Sequence, residues 1–407
     1  MPQSWTPMRW PSQWKDPATL DLLKGCAIDY LLIGDEPVLA GVRKRALADG
    51  LAASAAAPPG VELVTGTWPG VKMGRRGAAG AGPTAAPWVD SNGWAVRLSL
   101  ALHPEAAVWV DAAPAAGAWI TADSYRLAIA DTAAYGGRWV VSLDNSLATS
   151  LASGDSTALA TWRKLSAATG FFTERKQWLT YAPLAVIGVI SSFTGDDQFF
   201  GQEMLNLLGR VGCHYRVLPK GAVADGSFES LRALLYTDAE PPSDALRKRV
   251  LDFVAAGGLL IAGPNWGSAP GAPAGAGSVP NFSMRSLGKG KIAVSDTAPD
   301  DPYEWAGDSV LLVSHRYDLV RFWNSGATGS YCAVSPDGKR SVAHLLFYTG
   351  RATDSAAVRI AGRYRAARAS TMDQPEVPLV DTQRGADAIE VHLPPVAQYV
   401  ALELEND

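Results

Sequence analysis

The sequence predicts an α/β protein that turns to antiparallel β-structure near its C-terminal end, and three patterns carry that expectation. Between Leu184 and Trp266, short apolar runs alternate with segments apolar on one helical face. Before residue 146, each strand-like run is again followed by a helical one, the signature of a parallel arrangement with helices on its faces. Beyond residue 324, the apolar period changes from helical spacing to alternation.

In chain order, the N-terminal arm sets Trp5, Trp10 and Trp14 among prolines and reads as a strap whose indoles cover a core edge. Residues 27 to 33 make the first clear strand, running into Gly34-Asp35-Glu36-Pro37, and a helix through Val42 and Leu47 follows. Residues 61 to 64 are the next strand, closing on Thr67-Trp68-Pro69. The glycine-rich run from 74 to 87 has no GK[ST] ending and no strand leading straight into it, so it does not read as a phosphate loop. Strands at 88–90, 107–111 and 139–144 alternate with helices at 93–102 and 125–135. That is about five strands before residue 146, short of the eight that close a barrel, so residues 1–182 are expected to form an incomplete or reduced (β/α) barrel-like domain. A long helical stretch from Leu147 to Tyr181 bridges onward.

The middle segment opens with Leu184-Ala-Val-Ile-Gly-Val-Ile190, a wholly apolar run of the kind buried on both faces of a parallel sheet. Phe200, Met204, Leu207, Leu208 and Val211 then mark one helical face. Ser243 stands as an N-cap before Leu246, Val250, Phe253 and Val254, and Gly257-Gly258 stop that helix. The run from Ala233 to Pro242 (ALLYTDAEPP), the capped helix, and Ala255-Ala-Gly-Gly-Leu-Leu-Ile261 together resemble the class I glutamine-amidotransferase-like domain. They are similar in particular to its non-catalytic version in family 42 β-galactosidases and related glycoside hydrolases. Gly288-Lys-Gly-Lys-Ile292 resembles the turn that closes such domains. The resemblance implies a flavodoxin-like domain over 183–300 that makes subunit contacts, and hence a homo-oligomer. It also implies a glycoside-hydrolase-like protein overall. Amidotransfer needs a cysteine on a strand-to-helix turn, and Thr237-Asp238 occupy that place.

A helix is expected from Tyr303 to Asn324, followed by seven short strands with a hairpin at Pro336-Asp-Gly338. Residues 301–407 are thus expected to be a linking helix and an antiparallel β-sandwich. The final strands resemble the small β-domain that closes many glycoside hydrolases.

A net charge of −4 supplies no basic field for nucleic acid, and no apolar run is long enough to span a membrane. The three cysteines make neither a disulfide framework nor a metal-ligand spacing, and no pair of histidines stands at ligand spacing either; no metal or cofactor is expected. The start of the chain shows no signal-peptide pattern, so cytoplasmic placement is the default, and export stays compatible with a leader removed from this sequence.

In parallel α/β folds the carboxyl ends of the strands build the site. Those ends carry Asp35, Glu36, Asp90, Asp111 and Asp144, with Trp68, Trp88, Asn92, Trp94 and Trp109 nearby. Strand parity points Trp109 and Asp111 the same way. Glycoside chemistry uses one carboxylic acid to protonate the leaving oxygen and a second carboxylate to attack or to activate water, while indoles stack on sugar faces. Asp111, Asp144, Asp90 and Glu36 are therefore the catalytic candidates, and Asp35, Trp68, Trp88, Asn92, Trp94 and Trp109 the substrate-binding ones, for a carbohydrate ligand. Against this, an aspartate after a strand is also the usual N-cap of the next helix. No Asn-Glu pair of the kind active barrel hydrolases present ends a strand here. The alternative reading is a catalytically silent sugar-binding or scaffold protein on the same fold.

Overall fold

Two short parallel sheets meet in the N-terminal third of the computed structural model, which describes residues 2–72, 88–275, 279–298, 300–349 and 356–407. The strands are β1 (Pro7–Arg9), β2 (Tyr30–Leu32), β3 (Ala52–Ser54), β4 (Val61–Thr65), β7 (Ala107–Asp111), β8 (Arg138–Trp139) and β9 (Val141–Ser142), with a separate antiparallel hairpin of β5 (Gly70–Val71) and β6 (Val89–Asp90). One sheet runs β3-β2-β1-β9 and the other β4-β7-β8, all parallel. Only Val140 separates β8 from β9, so the two sheets form one run of strands in cyclic chain order, open between β3 and β4. Tyr30 of β2 and Trp109 of β7 stand on opposite sides of that run, yet their rings meet at 5.2 Å. The sheet therefore curls on itself around Tyr30, Leu32, Trp109 and Val140.

Helices α1 (Ala40–Ala48), α2 (Gly93–Leu102), α3 (Ala122–Ala133), α4 (Asn145–Ala152) and α5 (Ser156–Glu174) belong to this unit. Side-chain caps at Thr121, Asp144 and Asp155 fix where α3, α4 and α5 begin. The N-terminal arm, expected to be a strap, instead supplies the central strand β1. Its neighbours Trp10 and Trp14 are buried, and the Trp14 indole donates to the Ala148 carbonyl at 2.8 Å. The expected strand at 88–90 leaves the parallel sheet and pairs with Gly70–Val71. The glycine-rich run from 74 to 87 lies outside the described residues.

The chain then gives β10 (Ala182–Pro183) to the C-terminal structure and enters the middle unit. This comprises β11 (Ile187–Ser191), α6 (Asp197–Arg210), β12 (Tyr215–Pro219), β13 (Ala233–Tyr236), α7 (Asp244–Ala255), β14 (Leu259–Ala262), β15 (Ala272–Pro273), β16 (Phe282–Leu287) and β17 (Gly290–Ser295). The order is β12-β11-β13-β14-β17-β16-β15, parallel through β17 and antiparallel beyond it. Every residue of β11 is buried, as its continuous apolar run requires. Ser243 caps α7, accepting from the Leu246 amide.

The helix expected over residues 303–324 is shorter. α8 (Pro302–Val313) stops where Ser314 adopts a left-handed conformation with φ of 82°. Residues 320 to 323 then form β18 (Val320–Trp323), buried at Val320 and exposed at Trp323. Trp305, Ala306, Val310 and Val313 of α8 pack with Met204, Leu207 and Leu208 of α6, so this helix completes the middle core.

Beyond it lie β19 (Thr328–Val334), β20 (Arg340–Phe347), β21 (Ala357–Ala361), β22 (Tyr364–Ser370), β23 (Asp381–Arg384), β24 (Ala388–His392) and β25 (Gln398–Asn406). They form antiparallel sheets ordered β10-β19-β20-β25-β22 and β18-β21-β24-β23, which share a core through Leu345, Val358, Ile389 and Leu402. The strand expected at 377–380 reduces to a single bridge from Val377 to Ala369.

Candidate functional site

The carboxyl ends of the curled sheet bring together residues far apart in sequence. Arg9 ends β1 and Asp111 ends β7, and the two form an ion pair, with the guanidinium the more exposed partner. The other Asp111 oxygen, Oδ1, is buried without a hydrogen-bond partner, as is the Ser142 hydroxyl at the end of β9. The loop from Asp111 to α3 carries Trp119, whose side chain is 75% exposed. The amide of the next residue, Ile120, donates to Asp144 at 3.4 Å, which holds this loop beside the end of β9. An exposed indole on a loop that follows a strand's carboxyl end offers an apolar face for a ring. Neither Arg9 nor Trp119 stood out in the sequence, because neither belongs to a motif.

The acids read from strand ends are held separately. Asp144 is 2% exposed and caps α4: it accepts from the Leu147 amide at 3.0 Å and the Tyr125 hydroxyl at 3.1 Å. Asp90, on the β5–β6 hairpin, accepts from the Trp88 indole at 3.3 Å and lies 3.8 Å from Arg210 of α6. Asp35 is exposed and pairs with Arg43 at 3.1 Å, while Glu36 folds back over Gly34. The expected convergence of these acids in one hollow is therefore corrected: Asp111 meets Arg9, Asp144 serves its helix, and Asp90 faces the middle unit.

The indoles divide in the same way. Trp109 has no exposed surface and fills the interior of the curled sheet, so no sugar face is available on it. Trp68 packs edge-on against Tyr125 and Trp139, at 5.3 and 5.1 Å. Trp88 and Trp94 pack toward the core of the middle unit. Asn92, 2% exposed, is wholly engaged: its amide group exchanges hydrogen bonds with the Thr67 backbone, and its own N–H and Nδ2 donate to Asp131 at 2.8 and 3.0 Å. Asp131 is fully buried and also accepts from the Tyr348 hydroxyl at 2.7 Å. Burial pushes its carboxyl up to about 6, against the pull of those donors.

At the switch point of the middle sheet, Asp238 accepts from the Ser192 amide at 3.1 Å and pairs with Lys220 at 3.1 Å. No thiol stands there. Cys213 lies before β12, at the opposite end of the strands, and burial pushes its thiol up to about 12, so it supplies no thiolate. His214 and His344 are pushed by burial down to about 3 and stay neutral. Among the described residues, no group of three or more His, Cys, Asp or Glu is placed to hold a metal ion. No helix is long and apolar enough to cross a membrane among them.

No family model and no curated protein matches the sequence. Solved structures do resemble the fold. An α-L-fucosidase isoenzyme from Paenibacillus thiaminolyticus superposes over 74% of this chain and 60% of its own, with a TM-score of 0.50 and 10% identity. A β-galactosidase from Rahnella sp. R3 matches 90% of this chain and 65% of its own, with a TM-score of 0.50 and 9% identity. A rhamnosidase from Novosphingobium sp. PP1Y matches 93% of this chain but 37% of its own, with a TM-score of 0.50 and 12% identity. The likeness is one of fold: a glycoside-hydrolase-like arrangement of parallel sheets with a separate antiparallel unit. This chain spans less than two thirds of the length of each of these enzymes.

Proposed function

We propose that this chain is a glycoside-hydrolase-like carbohydrate-binding protein. In this reading, residues 1–182 are a reduced (β/α) barrel whose strand ends take a saccharide. A flavodoxin-like, amidotransferase-like domain and a C-terminal β-sandwich support it in a homo-oligomer. The cyclic strand order and the Tyr30–Trp109 contact across it favour the barrel. The middle order, which taken in sequence is 2-1-3-4-5, favours the flavodoxin-like class. The observation that carries the saccharide site is Trp119, exposed on the loop between Asp111 and α3.

Binding without cleavage is the reading the acids favour. Hydrolysis by two carboxyl groups needs one free to protonate the leaving oxygen and another facing the anomeric carbon. Here Asp144 is committed to a helix cap and Asp111 to Arg9. A panel of aryl glycosides assayed beside thermal melts with the parent sugars tests this directly. The expected result is a sugar-dependent rise in melting temperature with no aryl release. Turnover that Asp111→Asn abolishes would overturn the binding-only reading and restore Asp111 as a catalytic acid.

A further inference from the structure

A cavity of about 410 Å³ opens where the three units meet, within the size range of small-molecule sites. Trp88 and Trp94 of the N-terminal unit, Arg210 and Asn206 of α6, and the Ser325–Gly329 segment that enters β19 all contribute to its wall. Two guanidinium groups define its charge. Arg210 lies 3.5 Å from the centroid of the Trp88 ring, its Nη1 has no hydrogen-bond partner, and its nearest carboxylate oxygen, on Asp90, is 3.8 Å away. Burial pushes the Arg210 guanidinium downward. Arg97 of α2 lies 3.4 Å from the centroid of the Tyr215 ring, and its Nε is buried without a hydrogen-bond partner.

Aromatic faces attract these cations but accept none of their in-plane N–H groups, and a buried donor left unmade is costly. Apart from Asp90 behind Arg210, no carboxylate among the described residues is within ion-pairing distance of either guanidinium. Arg210 Nε donates to Asn206 Oδ1 at 3.1 Å, so what the site lacks is negative charge and a partner for Arg210 Nη1 and Arg97 Nε. Around the arginines, Ser91, Asn206, Ser325, Thr328 and Thr349 offer hydroxyl and amide groups, while Trp88 and Trp94 offer flat apolar surface. That combination suits a ring bearing hydroxyls on its edge and one carboxylate.

We infer that this junction is a second binding site, distinct from the strand-end site, for a small sugar acid whose carboxylate engages Arg210 and Arg97. Occupancy would tie α2, α6 and the start of β19 together across the three units.

D-glucuronate, with D-glucose as the neutral control, is the probe. Titration calorimetry on the full chain should give glucuronate an affinity about tenfold or more above that of glucose, because a charged hydrogen bond contributes about 1.5–3 kcal/mol. Arg210→Gln should reduce glucuronate affinity by about tenfold or more on the same grounds. Arg97→Lys keeps the charge but loses the planar donors, and should weaken binding as well. Arg210→Gln should leave the binding of neutral oligosaccharides at the strand ends unchanged, so failure here is separable from failure of the strand-end proposal. Equal affinity for the two sugars would overturn the inference. So would glucuronate binding untouched by both arginine variants.

Discussion

Asp131 shows how one buried group joins distant parts of this chain. Its carboxylate sits on α3, takes two hydrogen bonds from Asn92 at the start of α2, and takes a third from Tyr348 just beyond β20. Its folded pKa of about 6 lies above the ordinary 3.8, so the folded protein holds this proton more tightly than the unfolded chain does. Stability from this group is therefore full below about pH 4 and falls as pH rises to about 6, by about 3 kcal/mol in all. Asp131→Asn keeps the shape and removes the titration. Melting temperatures measured across that window should show the variant losing less stability than the unaltered protein as pH rises. At this scale the sequence was partly legible. Strand parity aimed Trp109 and Asp111 to one side of β7, and the competing reading of Asp144 as a helix cap describes its contacts. Arg9 was not legible, because its partner Asp111 stands 102 residues away and nothing local marks the pair.

Elements with a strong local period were legible, and those without one were not. β11 is a continuous apolar run and α7 has both a cap and a stop, so both fall where the spacing predicts. β1 and β3 are three residues each, one proline-flanked and one made of Ala-Ala-Ser, and only their neighbours in the sheet make them strands. The helix expected through residue 324 fails for a comparable reason: the left-handed Ser314 turns the chain, and β21 then recruits β18. The Gly288-Lys-Gly290 turn has a physical explanation of its own. A Cβ at Gly290 would collide with the carbonyl oxygens of Val254 and Gly258, so the close approach of β17 to the end of α7 demands glycine there. Gly290→Ala should cost on the order of 3 kcal/mol, read as a lower urea midpoint for loss of the middle unit. Ser243→Ala, which removes only the α7 cap, should cost about 1 kcal/mol in the same experiment.

Across the whole molecule, the largest core is shared. Phe171 and Phe172 of α5 meet Tyr399 of β25 at 5.8 and 5.1 Å, and the same cluster runs from Met8 to Ala401. The N-terminal unit and the five-stranded antiparallel sheet should therefore lose structure together. Phe172→Ala should cost about 3–5 kcal/mol and speed amide exchange in both α3 and β20; acceleration in only one would show that they are independent. The same shared core carries the curled sheet whose open end supports the saccharide proposal. Titration calorimetry with a panel of neutral oligosaccharides, comparing the unaltered protein with Trp119→Ala, tests that claim most directly. The account predicts saturable binding to at least one glycan and a loss of about twofold to tenfold in the variant, on the order of a stacked aromatic contact. Identical titrations for the two proteins, or no heat from any glycan, would contradict it.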